Sequence, residues 1–517
     1  MAQRVSSTVA AAMLSLTGCS LIYNPSNLPS PASDAILPDV TPDAPIIPVD
    51  ADPALLEITD VSPRELLEGQ GIDGSRRAVV VVTGANLVAG ATVQLTVHAG
   101  ETGTPLLTVH DEDVVVSTDG LTIAVPVTVA VDPLIGPGVL DGIRLDVAVT
   151  QPTSGGPITK TLTQRETADD PILTLRGLRE QLGGGTLTID LAQPRHQFSK
   201  IDATAIAFTG TANIPVIESV SSITVANLIS VNASGKTAGV GGGDGGAGGP
   251  GGLVNGSPGS AGTGDGRGLP SGGGGSFGSQ GAAGPGSPGS VSGDASLPTL
   301  EAPNRGSGGA GGDGVALGAA GGAGGGGGGT ISITAGGALT FSAISANGGN
   351  AGDSNNDGGG GSGGAVLIRA GTSITVSAGG AGITAKGGTS PGSGVGGNGR
   401  VRFDAGVKAT TVASVPPVGH RGAMVDRDTP LVVRDQTPAI TFNGQPGSAF
   451  SYTVEDVGGT ETPRGPVSLT FPNNGTVANH ALAVDLFRGV SILCVRVEKS
   501  TGTSDAGKNC VAITFIP

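Results

Sequence analysis

Short runs of alternating apolar and polar residues, separated by Gly, Asn, Asp and Pro, fill the chain from Leu55 to Thr150. Ala78-Val-Val-Val-Val-Thr83, Ala91-Thr-Val-Gln-Leu-Thr-Val97, Leu121-Thr-Ile-Ala-Val-Pro-Val127 and Ile143-Arg-Leu-Asp-Val-Ala-Val149 read as strands, and their spacing predicts an antiparallel β-sandwich over residues 55–151. Alternation returns from about Thr429 in Ala439-Ile-Thr-Phe442, Phe450-Ser-Tyr-Thr-Val454, Val467-Ser-Leu-Thr-Phe471, Ser491-Ile-Leu-Cys-Val-Arg-Val497 and Cys510-Val-Ala-Ile-Thr-Phe515. These predict a second sandwich over 429–517. In its last two strands Leu493, Val495 and Val497 oppose Cys494, while Val511, Ile513 and Phe515 oppose Cys510. A disulfide between Cys494 and Cys510 is therefore compatible with both apolar faces pointing into one core.

The middle, residues 170–406, keeps a different rhythm. Gly329-Thr-Ile-Ser-Ile-Thr-Ala-Gly336 matches Gly364-Ala-Val-Leu-Ile-Arg-Ala-Gly371 and Gly399-Arg-Val-Arg-Phe-Asp-Ala-Gly406, an offset of about 35 residues. Leu339-Thr-Phe-Ser-Ala343 likewise matches Ile374-Thr-Val-Ser-Ala378. Repeats of this kind predict a right-handed parallel β-helix in which stacking buries Ile331, Ile333, Val366, Ile368, Val401 and Phe403 in one ladder. Residues 235–329 are nearly half glycine, and the glycine tracts offer almost no apolar side chain to bury, so the expectation is loops protruding from one edge without fixed structure. The alternative is extended, polyproline-like strands packed through glycine. The fold class expected is thus all-β: an immunoglobulin-like sandwich, a glycine-rich parallel β-helix and a C-terminal sandwich.

Composition narrows the function. Of 517 residues, 95 are Gly and 35 Pro, with no Trp, two Tyr and a net charge of −15. Clustered Lys and Arg are missing, which argues against nucleic acid as a partner. At the amino terminus Arg4 and the apolar run Val9 to Leu16 precede Leu16-Thr17-Gly18-Cys19, the layout of a secretory signal too short to span a bilayer. Residues 19–54 are rich in Pro, Ser, Ala and Asp and read as a solvated tether.

Leu16-Thr17-Gly18-Cys19 resembles the bacterial lipobox, which implies cleavage after residue 18 and acylation of Cys19. Two or three acyl chains suffice for stable anchoring. Ser20, where an inner-membrane retention aspartate often stands, points to an outer-membrane lipoprotein, periplasmic or surface-facing. That compartment is oxidising and suits the Cys494 and Cys510 pair. Ile58-Thr-Asp-Val-Ser-Pro63 and Val82-Thr-Gly-Ala-Asn-Leu87 resemble the immunoglobulin-like IPT/TIG domain, with Leu87 where that family more often has an aromatic residue. The middle region resembles glycine-rich β-helical passenger segments of bacterial surface proteins, through units such as Gly363-Gly-Ala-Val366.

Candidate chemistry is sparse. His110 with Asp111, Glu112 and Asp113 is the densest cluster able to bind a cation, but a solvated turn is the favoured reading of it. Gly308-Gly-Ala-Gly-Gly-Asp-Gly-Val-Ala316 fits one nonapeptide of a calcium β-roll and makes Asp313 a weak calcium ligand; Asp244, Asp265, Asp353 and Asp357 stand in neighbouring glycine stretches. Arg369, Lys386, Arg400, Arg402 and Asp404 could converge near the last coil, as a polysaccharide lyase or hydrolase would require. Paired acids and aromatic sugar platforms are few, so no catalytic residue is assigned and no cofactor is expected. The expected role is a non-enzymatic envelope lipoprotein, a spacer or adhesive element that meets the membrane through lipid and an envelope polysaccharide or protein through its ectodomain. A carbohydrate-active β-helix and a calcium-stabilised glycine-rich binding protein are the alternatives.

Overall fold

The computed structural model describes residues 55–103, 105–131, 142–163, 172–210, 213–250, 320–352, 358–392, 394–406, 412–416, 420–457, 461–474, 478–497 and 508–517, with shorter stretches between 261 and 313. The signal segment 1–18, Cys19 and the tether lie outside the described residues. Within them the protein is all-β, and no helix is long and apolar enough to cross a membrane.

In the N-terminal sandwich, one sheet orders Glu57–Ser62, Ala78–Ala85, Thr122–Ala130 and Leu106–Val109, with Val115–Val116 also on Thr122–Ala130. The facing sheet orders Glu65–Leu67, Leu173–Arg176, Ile143–Gln151 and Thr92–Val97, with Ile158–Leu162 beside Ile143–Gln151. Leu145, Val147 and Val149 alternate with the half-buried Arg144, Asp146, Ala148 and Thr150 and meet Val80, Val82, Val125 and Val127. Ile172, Leu173 and Leu175 fill the same core, so the sandwich runs past residue 151 and takes in 172–176.

Parallel coils begin with Arg179–Gln181. One ladder stacks Arg195–Ala203, Val216–Ser219, Thr330–Ala335, Ala365–Ala370, Arg400–Ala405 and His420–Arg421. Its register sets Ile331 beside Val366 and Val401, and Ile333 beside Ile368 and Phe403, so the sequence repeat is the coil repeat. A second ladder, from the far half of Arg195–Ala203, stacks Ile223–Ser230 and Leu339–Ser345, then Ile374–Val376 and Gly382–Thr384, and finally Ser414–Val415. Ile201, Ile223, Leu339 and Ile374 form its inward column. Both ladders thus fill one apolar core, which no single coil could form.

The glycine tract, where described, is packed. Successive amides of Gly324–Gly329 donate in rotation to three neighbours: Gly324 and Gly327 to Gly246 and Gly243, Gly325 and Gly328 to Gly359 and Ser362, Gly326 and Gly329 to Gly235 and Val231, all at 2.7–2.8 Å. Gly359–Gly364 repeats the scheme toward Ala310 and Ser307, Gly394 and Gly397, and Gly349 and Ala346. Every third amide facing the same neighbour is the signature of an extended helix with three residues per turn. A Cβ on Gly325 would overlap the carbonyl oxygen of Gly349, and one on Gly327 that of Gly306. None of Gly324–Gly329 has a positive φ, so glycine is required here for close approach and not for backbone freedom. For the described segments, 235–250 and 320–329 foremost, the expectation of protruding loops is corrected in favour of the alternative of extended strands packed through glycine: without side chains they close up until backbone amides and carbonyls bond each other, and those bonds take the place of an apolar core.

In each coil the corner between the two ladders, at residues 336–338 or 371–373, lies at one end of the strands, and the glycine segments join the other ends. The N-terminal sandwich docks on the corners. Glu68 accepts from Ser199 Oγ at 2.9 Å, Asp73 from Ser222 Oγ at 2.8 Å, and Lys200 Nζ lies 2.7 Å from Asp73.

Met424–Val425, Ala439–Gly444 and Ala478–Ala483 form one sheet of the C-terminal sandwich. The other orders Val432–Val433, Asn509–Phe515, Gly489–Val497, Ala449–Asp456 and Arg464–Thr470. Phe442, Phe450, Phe471 and Phe487 are buried between them, with Phe450 stacked on Phe471 at 4.1 Å. The outer face of the second sheet is also covered: Val490, Ile492, Cys494, Cys510 and Ile516 pack on Val79, Val81 and Ala124 of the N-terminal sandwich. The run Ala78-Val-Val-Val-Val82 is apolar on both faces because it serves both contacts.

Candidate functional site

Three of the charged residues of the last coils, Arg369, Arg402 and Asp404, converge, but inward of the surface. Glu218, Thr334, Arg369 and Asp404 stand in register on the outer face of the first ladder, with Arg402 two residues before Asp404. Asp404 is fully buried and accepts from Arg402 Nε and Nη2 at 2.8 Å each, from Arg369 Nε at 3.1 Å and from the Gly422 amide at 2.6 Å. Burial by itself raises the Asp404 carboxyl, but Arg402 and Arg369 outweigh it and hold the carboxyl below its ordinary value. Arg369 shifts the other way relative to its charge: burial lowers it, and the aspartate only partly restores it. Lys386 is exposed on a glycine segment and takes no part. With its lone pairs taken by four donors and no water contact, Asp404 is built to bind the last coil to the segment after it, and a substrate proton has no route to it.

The acidic turn also converges. Asp111–Asp113 forms a 3₁₀ turn after His110, and ligand atoms of His110, Glu112 and Asp113 lie within 4.8 Å of one another. Asp111 does not join them. His110 Nδ1 faces Glu112 at 3.3 Å, its Nε2 faces Thr128 Oγ1 at 2.9 Å, and Asp113 pairs with Arg77 at 2.7 Å. A hard cation would find three donors but would first have to displace the guanidinium.

Asp313 joins no comparable group among the described residues, and four of the nine residues of its nonapeptide lie outside them. Asp244 accepts the Ala238 amide at 2.9 Å and closes a turn; Asp265, Asp353 and Asp357 lie outside the described residues. His98 bonds Asp146 at 2.8 Å, and His196 occupies the inward column at the start of the coils, in register with Ile217. Cys494 and Cys510 face each other across their strands and are joined by a disulfide.

The glycine edge is the most regular surface of the molecule. Its inner segments, Gly306–Gly311, Gly324–Gly329 and Gly358–Gly364, are buried, whereas the outer ones expose every third residue. Asp244, Ala247 and Pro250 are exposed on one, and Lys386, Thr389 and Gly392 followed by Val395 and Asn398 on another. Asn347 and Asn350 accept the amides of Lys386 and Thr389 at 2.9 Å, and Asn232 accepts that of Asn347 at 2.6 Å, which locks adjacent segments in register. The Gly-Gly-X spacing at 242–250, with X at Asp244, Ala247 and Pro250, is the sequence signal for this packing. No protein-family model, no curated protein and no solved structure matches the chain.

Proposed function

We propose that the chain is an exported bacterial lipoprotein, acylated at Cys19 and held at the outer membrane, whose ectodomain serves the cell envelope as a structural or adhesive element without catalysis. The observation that supports this most is placement. The tether leads into the N-terminal sandwich at Leu55, that sandwich sits on the coil corners, and the glycine segments close the other ends of the same strands. An anchor at Cys19 therefore enters on the sandwich side and leaves the glycine edge as the face to present.

Exposed positions on that edge recur every third residue, about 9 Å apart along an extended three-residue helix. Such a rigid array suits contact with a repeating or flat partner, such as envelope polysaccharide, better than it suits enclosing a small substrate. The lipobox and IPT/TIG resemblances point the same way, toward an extracytoplasmic module, as does a disulfide. The test compares wild type with Cys19→Ser by membrane fractionation and assays the purified protein on a polysaccharide panel. The expected result is membrane partition lost in Cys19→Ser and no cleavage by either protein; release of sugar fragments by wild type would overturn the reading.

A further inference from the structure

The Cys494–Cys510 bridge does not face solvent, nor does it lie in the core of its own sandwich. It sits on the outer face of the sheet, 2% exposed at both residues, under Val79, Val81 and Ala124 of the other sandwich. Polar contacts rim this interface. The Thr118 amide donates to the Pro517 carbonyl at 2.8 Å, Arg434 to the Val116 carbonyl at 3.1 Å, and Arg488 pairs with Asp119 at 2.6 Å. From the same sandwich, Arg76 donates to the carbonyls of Asp426, Thr429 and Arg427 at 2.7, 3.1 and 3.3 Å. Arg76 belongs to the loop that also carries Glu68 and Asp73 onto the coil corners, so one loop ties all three parts together.

We propose that the bridge is a gated disulfide, closed to thiol reductants while the two sandwiches are docked and reached only when they part, with Arg76 as the clasp that sets how often they part. Reduction needs a thiolate to approach one sulfur in line with the S–S bond, and the docked sheet occupies that approach. With dithiothreitol, one reagent thiolate would bond one cysteine sulfur and release the other cysteine as a thiolate. The second reagent thiol would then displace the first cysteine, leaving two reduced cysteines and a cyclic reagent disulfide. By reciprocity, a reduced bridge leaves the outer sheet less constrained and the docking weaker.

The test is dithiothreitol reduction of the full chain in detergent under native conditions, trapped by alkylation and read on the peptides carrying Cys494 and Cys510. Wild type is expected to be reduced slowly, at a rate that climbs steeply with urea well below the unfolding midpoint, because opening exposes surface. Arg76→Ala is expected to be reduced about tenfold faster, the change produced when opening costs about 1.4 kcal/mol less. Arg427→Ala, which leaves the 427 carbonyl in place, serves as the control and is expected to match wild type. A wild-type rate that is flat in urea, or equal rates in wild type and a folded Arg76→Ala, would overturn the proposal. Should Arg76→Ala fail to fold, the urea dependence of wild type decides alone.

Discussion

At the scale of single residues, Asp404 and Gly325 carry opposite kinds of necessity. Asp404 is a charge that cannot be removed cheaply: Asp404→Asn leaves the buried guanidiniums of Arg402 and Arg369 facing a neutral amide. Loss of one partner from a buried ionic cluster costs about 3–5 kcal/mol, so equilibrium unfolding in urea at pH 7 should show a loss of that size. The folded carboxyl lies below its unfolded value, near 3.9, so its contribution is complete above about pH 4 and disappears as pH falls through the depressed folded value. The gap between wild type and Asp404→Asn should therefore narrow as unfolding is measured at decreasing pH below 4. Gly325 is required instead for the absence of a side chain. Gly325→Ala should cost about 1–3 kcal/mol by overpacking against Gly349, whereas Gly155→Ala, at an open surface turn without a positive φ, should be within about 1 kcal/mol of neutral. Thermal unfolding of the two variants checks the contrast.

At the scale of elements, the strands were legible because alternation follows directly from the two faces of a sheet. Ile143–Gln151 alternates in burial along its full length, and in sequence from Ile143 to Val147. The coil repeat was legible for the same reason, since stacking in register makes equivalent positions chemically alike. Glycine segments were legible only as the second of two alternatives, because their cohesion comes from backbone groups that every residue possesses, and their main side-chain trace among the described residues is the outward residue at every third position of the outer segments. Cross-strand placement of Cys494 and Cys510 was readable from their position opposite the apolar face, and the bridge joins the last two strands of the sandwich. The double variant Cys494→Ala/Cys510→Ala should lose about 3 kcal/mol in chemical unfolding, the value for closing a loop of this length. The sequence separation between them is 16 residues.

At the scale of the whole molecule, the three parts pack against one another through faces that a sequence read strand by strand treats as exterior. Val79 and Val81 belong to a run apolar at every position, and that run reports a sheet covered on both sides. Of the five residues grouped near the last coil from sequence, Arg369, Arg402 and Asp404 meet in the interior and Lys386 stands apart on the surface, because charge pattern alone does not tell which face of a ladder is covered. The described glycine segments form an ordered, hydrogen-bonded bundle that gives the molecule a rigid edge. Hydrogen exchange resolved to the amides of Gly324–Gly329 and Gly359–Gly364 tests it most directly. Protection of these amides comparable to that of Thr330–Ala335 is the result predicted, and exchange at the rate of an unstructured chain would contradict it.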